Sequence, residues 1–260
     1  MAIKLVLSLL SLVLATQSGT QAKKSNPRDF SGVWMNKSLA TEQRDARGDL
    51  VVRRRNDEIR EGPAPPLTAR YLALYQKLRA QARGESRDPS LGKLDANASA
   101  NCVWIGTPGI MGWPFPIEFV HTDKRIFILF EAELQRRQIW MDGRKHPAED
   151  ELEYTYMGHS IGRWEGNVLI VDTVGLREEV LMFGLPHSEQ VRIMERIKLV
   201  DADTLEDEFT VTDPKAFTQP VVRKITYGRK QAWELMEYSC TDNNRNGVTA
   251  DGKPAEGVVR

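Results

Sequence analysis

Side chains that can exchange protons recur in the middle of the chain, where apolar and polar residues alternate. Glu131 directly follows an apolar run, and Asp142 opens an Asp-Gly-Arg-Lys-His segment that ends at His146. Tyr156 and His159 come next, three residues apart, so on a regular strand they point to opposite faces. A carboxylate that orients a neutral imidazole makes it a general base, and a tyrosine hydroxyl can supply a proton. The sequence therefore predicts an acid–base site whose catalytic residues are His159, Glu131, Asp142 and Tyr156.

The expected strand order ranks the two carboxylates as partners of His159. If the segments between residues 125 and 159 form three successive antiparallel strands, His159 returns to the end of the sheet where Glu131 lies. Asp142 then lies at the opposite end and is the second choice. The alternative is a structural network in which Asp142 caps a turn and Arg144 pairs with Glu131.

An irregular apolar segment, Trp113-Pro114-Phe115-Pro116, follows Trp104 in the chain. Such a segment could roof the mouth of a barrel and contact an apolar or aromatic ligand, or it could be a plug that buries its own rings. Glu195 interrupts an apolar strand, and Arg144 lies at a strand end, so both could supply polar contacts to that ligand. The candidate ligand-binding residues are Trp104, Trp113, Phe115, Arg144 and Glu195.

Two better-known kinds of site find little support in the sequence. Residues 158–162 match the G-x-S-x-G elbow of α/β-hydrolases, and Asp172 and His187 follow in the order of a catalytic triad. That elbow needs a helix after its serine, whereas the residues that follow Ser160 alternate as strands do. The four histidines lack the spacing of a metal-binding helix face or strand. The sequence thus predicts no serine triad, no metal site and no cofactor.

Composition narrows the class of protein. The chain has 260 residues, of which 41% are hydrophobic and 28% charged, as in ordinary globular proteins. Its 36 basic and 36 acidic residues give no net charge, which argues against nucleic acid as a partner. The length fits one domain with additional segments.

The first residues indicate export. Lys4 precedes an apolar run of about a dozen residues, too short for a membrane span of ~20, and small residues lead to Ala22. We therefore predict a signal peptide over residues 1–22, a mature protein without a membrane span, and a periplasmic or secreted location. In an oxidising compartment the two cysteines, Cys102 and Cys240, are expected to form a disulfide.

The remaining pattern predicts an all-β protein. Apolar residues at three- and four-residue spacing predict one helix over residues 67–83, after a proline-rich linker. Beyond Cys102 the period becomes two, and short turn signals separate the alternating segments. Strands are predicted near 116–122, 125–132, 134–141, 153–159, 161–165, 167–173, 190–200, 204–212, 219–227 and 232–239. Consecutive short strands without intervening helices favour a closed antiparallel barrel, because closure removes the exposed edges.

We therefore divide the chain into four parts. Residues 1–22 are the signal peptide, and residues 23–100 hold an N-terminal strand, the linker and the helix. Residues 101–242 form the antiparallel barrel, whose first strand comes from residues 29–35, and residues 243–260 form a polar tail.

Two sequence patterns carry a resemblance to known families. Gly32-Val33-Trp34 resembles the opening motif of lipocalins, in which the tryptophan closes the bottom of the barrel. The strings Gly158–Asn167 and Val171-Asp172-Thr173 resemble a family of exported bacterial proteins of unknown function, as do Glu237–Cys240 and Asn243-Asn244. Asn167 departs from that family, which has an acidic residue there. The resemblance implies an exported, barrel-like protein and carries no assigned reaction.

Three functions remain open at this point. The first is binding of a small apolar or aromatic molecule inside the barrel. The second is a metal-independent lyase, isomerase or hydrolase that uses a histidine–carboxylate pair in the barrel. The third is a structural or interaction protein with a filled barrel. A hollow interior would favour the first two functions and a filled interior the third, while the sequence leaves the oligomeric state open.

Overall fold

The structure is a computed structural model that describes residues 26–37, 65–86, 88–95 and 102–240, with the backbone of residues 43–44 and 50–51. The predicted signal peptide and polar tail lie outside these residues. The described part contains the closed barrel and the helix that precedes most of its strands.

Strands dominate the chain after Gly112. They are β1 (Gly32–Asn36), β2 (Gln43–Arg44), β3 (Leu50–Val51), β4 (Ile117–His121), β5 (Arg125–Phe130), β6 (Arg136–Trp140), β7 (His159–Glu165), β8 (Val168–Val174), β9 (Arg192–Asp201), β10 (Thr204–Thr212) and β11 (Val221–Arg229). Helix α1 covers Ala69–Ala82, and short 3₁₀ turns cover Pro89–Leu91 and Gly109–Gly112.

Nine of these strands close into a barrel in the order β1-β11-β10-β9-β8-β7-β6-β5-β4, with β1 pairing to both β4 and β11. An odd number of strands cannot close with antiparallel pairs alone, so one neighbouring pair must be parallel. That pair is β6 and β7, where Ile139 faces Ser160. The predicted all-β antiparallel barrel with one helix is confirmed for the described residues.

Alternation along each strand sends one set of side chains into the barrel. On β10, Leu205, Asp207, Phe209 and Val211 are buried, and the residues between them are less so. The period of two produces this pattern because successive side chains leave opposite faces of a strand. The hydrophobic core therefore lies inside the barrel.

Aromatic rings close the end of the barrel formed by the turns after β4, β7 and β9. Phe30 packs against Phe119 and Trp164, with ring centres 5.9 and 5.3 Å apart. Trp34 is fully buried, and its Nε1 donates to the Phe30 carbonyl oxygen at 2.8 Å. The guanidinium of Arg229 covers the Trp34 ring at 4.1 Å.

Longer segments cover the opposite end of the barrel. The 3₁₀ turn at residues 109–112 inserts there, where the Tyr227 hydroxyl donates to the Met111 carbonyl at 2.7 Å. Helix α1 is held beside this end by a bridge between Leu67 and Phe217, and it buries Tyr71 and Leu78. The predicted helix thus lies outside the barrel.

Two predicted strands are wrong. Residues 153–159 form an isolated bridge at Thr155, and the strand begins at His159 because the chain must cross over from β6 to a parallel neighbour. Residues 232–239 form an irregular segment with one bridge between Ala132 and Tyr238. Alternation alone does not separate a strand from an extended connection.

The C-terminal segment, residues 230–240, is fastened to the hairpin between β5 and β6. Glu131 accepts a hydrogen bond from the Met236 amide at 2.9 Å, and Glu133 accepts one from the Cys240 amide at 3.3 Å. Cys240 forms a disulfide with Cys102, with their Cα atoms 5.5 Å apart, which confirms the predicted pairing. The described residues include no helix with the length and apolar character of a membrane span.

Candidate functional site

The barrel interior holds a buried ion pair. The Arg137 guanidinium on β6 donates to Glu195 on β9, with an Nη1–Oε1 distance of 2.8 Å, and both side chains are almost fully buried. Arg137 also donates to the hydroxyls of Ser160 and Thr173, at 3.1 and 2.8 Å. The arginine thereby ties β6, β7, β8 and β9 together from inside.

A second carboxyl group lies in the same interior. Asp207 is completely buried, and neither of its oxygens accepts a hydrogen bond from a described residue. Burial and the nearby charge of Glu195 raise the pKa of Asp207 well above its usual value. This shift favours the protonated form of Asp207, which can donate to Glu195.

Side chains fill the middle of the barrel. Trp34, Phe119, Arg137, Phe209 and Tyr227 are each less than 2% exposed. A cavity large enough for a ligand would leave its lining side chains exposed to a water-sized probe. The interior site that the sequence favoured therefore has no space among these residues, and Glu195 serves the ion pair. This argues against binding or catalysis inside the barrel, so a filled barrel remains compatible with a structural protein and any reactive site must lie on its outer face.

A different polar cluster lies on the outer face of the same strands. Asp172 on β8 points outward, because its neighbour Thr173 points into the barrel. Arg192 on β9 binds both oxygens of Asp172, with an Nε–Oδ1 distance of 2.7 Å. This two-pronged contact fixes the carboxylate in a side chain that is only 8% exposed.

Two histidines extend this cluster. His146, on the crossover between β6 and β7, places Nε2 3.5 Å from Asp172 Oδ2. Its Nδ1 lies 2.8 Å from Nδ1 of His159, the first residue of β7. Gly158 precedes His159 with φ +65°, and a Cβ there would lie 2.8 Å from the Val174 carbonyl oxygen. The glycine thus allows β7 to start close against β8.

The order of contacts favours one tautomer of each imidazole, with Asp172 acting on His146 Nε2 across an ion-pair distance and not through a hydrogen bond. Asp172 favours a proton on His146 Nε2, which leaves His146 Nδ1 as an acceptor. His159 must then donate through its own Nδ1, and its Nε2 carries a free lone pair. No described residue forms a hydrogen bond with that Nε2 atom. The cluster presents one basic nitrogen, oriented by a chain that ends at a carboxylate.

Electrostatics keep both imidazoles neutral. Burial lowers the pKa of His146, and the positive charge of Arg192 adds to this effect, against the opposing influence of Asp172. Burial also lowers the pKa of His159, with further contributions from His146 and Arg144. A neutral imidazole near neutral pH is the protonation state that a general base requires.

The carboxylates that the sequence ranked as partners of His159 have other contacts. Glu131 accepts from the Met236 amide, and Asp142 forms an exposed ion pair with Arg144 that lowers the pKa of Asp142 to about 2. Arg144 lies 3.4 Å over the Trp140 ring. The parallel crossover brings His146 and Asp172 to His159 instead.

Trp104 and Tyr156 meet on the surface. Their ring centres are 5.7 Å apart, Trp104 is 51% exposed, and the Arg177 guanidinium lies 5.1 Å from the Tyr156 ring. Tyr156 precedes His159 by three residues, so their Cα atoms lie within about 10 Å. A partly exposed aromatic pair thus lies close in the chain to the first residue of β7.

The other predicted ligand-binding rings lie elsewhere. Trp113 stacks on Phe115 at 5.7 Å, and Phe115 packs against Tyr238 at 4.7 Å. These rings join the 3₁₀ turn to the C-terminal segment. Their contacts match the alternative in which this segment buries its own rings.

The G-x-S-x-G match has a structural explanation. Ser160 points into the barrel and contacts Arg137, whereas Asp172 points outward, so a strand separates the two side chains. Both ring nitrogens of His187 face carbonyl oxygens, those of Ser188 and Arg177. The three residues do not form a triad.

Sequence analysis missed two members of the cluster and did not place a third in the site. Asp172 was considered only as part of the rejected serine triad, Arg192 was not a candidate, and His146 was noted only within its Asp-Gly-Arg-Lys-His segment. A signal did exist, since Asp172 interrupts the apolar strand Val168–Val174. Among the described residues, no group of three or more His, Cys, Asp or Glu side chains is arranged to hold a metal ion.

No family model matches the chain, and no curated protein or solved structure shows significant similarity to it. The resemblance to an exported bacterial family stays a prediction, and the barrel is established by the structure alone.

Proposed function

We propose that this chain is an exported acid–base enzyme, a metal-independent lyase, isomerase or hydrolase in which His159 is the base. The observation that carries the proposal is the 2.8 Å contact between the Nδ1 atoms of His146 and His159, with Asp172 behind it. The predicted signal peptide and the disulfide support a periplasmic or secreted location.

The proposed chemistry moves one proton. His159 Nε2 takes a proton from a carbon or oxygen of the substrate, and the imidazole becomes a cation. That charge is stabilised through the Nδ1–Nδ1 hydrogen bond to His146 and by Asp172 beyond it. The proton then returns to the product or to water. Arg192 keeps the carboxylate in place throughout.

The aromatic pair that precedes His159 in the chain favours a small aromatic substrate. Trp104 is 51% exposed, and its ring meets that of Tyr156 in an edge-to-face contact. A planar substrate can stack on such a ring, and the Tyr156 hydroxyl can then donate a proton where the substrate reaches both groups. The ligand class expected from the sequence is thus retained, and its place moves from the interior to the outer wall.

The test uses 5-nitrobenzisoxazole, a small aromatic substrate opened by proton abstraction. The base removes the proton on C3, the electrons of that bond form a nitrile, and the N–O bond breaks to give a phenolate. We expect His159→Gln to lower kcat/KM by about 100-fold or more. In the parent protein, kcat/KM should rise with pH through a value below 6.5 and then level off, because the pKa of His159 is lowered.

His121→Gln is the matched control. His121 is another partly buried histidine of lowered pKa, near Asp29 and away from the cluster. The proposal is overturned if His159→Gln keeps the parental rate, or if the parent is no faster than free imidazole. A folded Asp172→Asn protein should have a kcat/KM between those of the two variants. It disturbs the tautomer of His146 but leaves His159 in place.

A further inference from the structure

A groove of about 390 Å³ lies between the β5–β6 hairpin and the C-terminal segment. Its apolar walls include Phe130, Leu134 and Met236. Leu134 is 60% exposed and Met236 is 70% exposed, although both are large hydrophobic side chains. The volume is within the range of small-molecule sites in proteins.

One polar group in this lining lacks a partner. Gln135 is only 5% exposed, and its Oε1 atom accepts no hydrogen bond from a described residue. A buried acceptor without a hydrogen-bond partner destabilises the protein. A ligand that donates a hydrogen bond to this acceptor would remove that cost. Oε1 itself is enclosed, so its contact with a ligand requires a rotation about the terminal torsion of Gln135, which has broad preferences.

The charges of the lining favour a neutral occupant. Glu131 is already engaged by the Met236 amide. Arg136 and Glu237 remain, one positive and one negative, and neither forms an ion pair with a described residue. A ligand with a net charge would be attracted by one of these side chains and repelled by the other, so the lining gives a charged ligand no net electrostatic advantage.

The wall formed by the C-terminal segment is held in place at several points. Met236 is bound through its amide to Glu131, and Cys240 is fixed both by Glu133 and by its disulfide to Cys102. A wall that is ordered before binding lowers the entropy that a ligand must overcome.

We propose that this groove is a second binding site, for a small, neutral, apolar molecule with one N–H or O–H donor that binds Gln135 Oε1. The site is separate from the histidine cluster and does not depend on the proposed enzymatic function. Apolar side chains supply most of the contact area, and Gln135 selects molecules that carry a donor.

N-phenyl-1-naphthylamine is a suitable probe, because it is neutral and apolar, has one N–H group and fluoresces in apolar surroundings. We expect saturable fluorescence with the intact, oxidised protein. Its N-methyl analogue lacks the donor and should bind roughly three- to tenfold more weakly. Gln135→Met keeps the size of the side chain and should remove this difference between the two probes.

Met236→Asp provides a variant whose folding is not in question, because the side chain is largely exposed. The variant should bind the probe about tenfold or more weakly, because the substitution places a charge in the apolar wall. Val200→Asp changes an equally apolar side chain, 55% exposed on β9, and should leave binding unchanged. The proposal is wrong if Met236→Asp binds as the parent does, if Val200→Asp weakens the probe equally, or if both probes bind the parent with equal affinity.

Discussion

The inner and outer faces of β7 and β8 carry opposite kinds of polar cluster. Ser160 and Thr173 point inward to Arg137, while their sequence neighbours His159 and Asp172 point outward. The inner groups are fully buried and bonded to one another. In the outer cluster Asp172 is also buried, but the two histidines are partly exposed, and His159 ends in a nitrogen with no described partner.

This difference separates groups that hold the fold from groups that can do chemistry. A fully buried ion pair has no route to a substrate, and its removal is expected to destabilise the protein strongly. A neutral histidine at the surface contributes little to stability and can exchange a proton with a ligand. The alternation of side chains along β7 and β8 thus places stabilising groups on the inner face and the candidate reactive groups on the outer face.

The largest expected effect follows from removing the inner cation. Arg137→Met leaves Glu195 buried without its counter-ion, beside the buried Asp207. We expect the free energy of unfolding to fall by about 3–5 kcal/mol, measured by urea denaturation. Arg163→Met, at an exposed position on β7, serves as the control and should leave stability unchanged within error. Equal losses of unfolding free energy in both variants would show that the buried ion pair stabilises the protein no more than an exposed one.

Asp207→Asn tests the protonation state of the interior. The raised pKa means that the native state keeps a proton that the unfolded chain releases near 3.8, so the parent loses stability as pH rises from that value through the folded pKa. Asparagine carries no such proton, and the variant should lose less stability between pH 5 and 9, roughly the range that urea titrations cover. Parallel stability curves for the two proteins would show that Asp207 is ionised in the fold.

His146→Gln probes the outer cluster and should have the smallest effect on stability. Burial lowers the pKa of His146, so the parent loses stability as pH falls from 6.5 through the folded pKa, and the variant should lose less. The charge of His146 also lowers the pKa of His159, so that pKa should rise in the variant. NMR titration of the imidazole carbons measures it directly, and an unchanged His159 pKa would mean that the two rings are not coupled in solution.

The strands could be predicted because each shows the period of a surface with one buried face. The segment 204–212 was predicted with the bounds of β10, and its alternation is regular throughout. The disulfide followed from having two cysteines in a chain predicted to be exported. The strands can be predicted from the local alternation of residues, and the disulfide from the number of cysteines.

The candidate site could be predicted only in part, because it depends on which strands become neighbours. His159 was identified by type, but its partners lie on a crossover and on the outer face of β8. A parallel pair between β6 and β7 leaves no mark in the alternation of either strand. Without that pair, an antiparallel hairpin directs the search to Glu131 and Asp142.

The pairing of β1 with both β4 and β11 has a kinetic consequence. Arg229 and Ser31, which are 198 residues apart, share a hydrogen bond across the closing seam. Contacts between such distant residues slow folding, because the entropy of closing the loop is lost before the contacts form. The seam between β1 and β11 cannot close until β11 itself has been made and paired with β10. Until then β1 and β11 keep unpaired edges, which makes the incompletely folded chain most prone to aggregation at this stage.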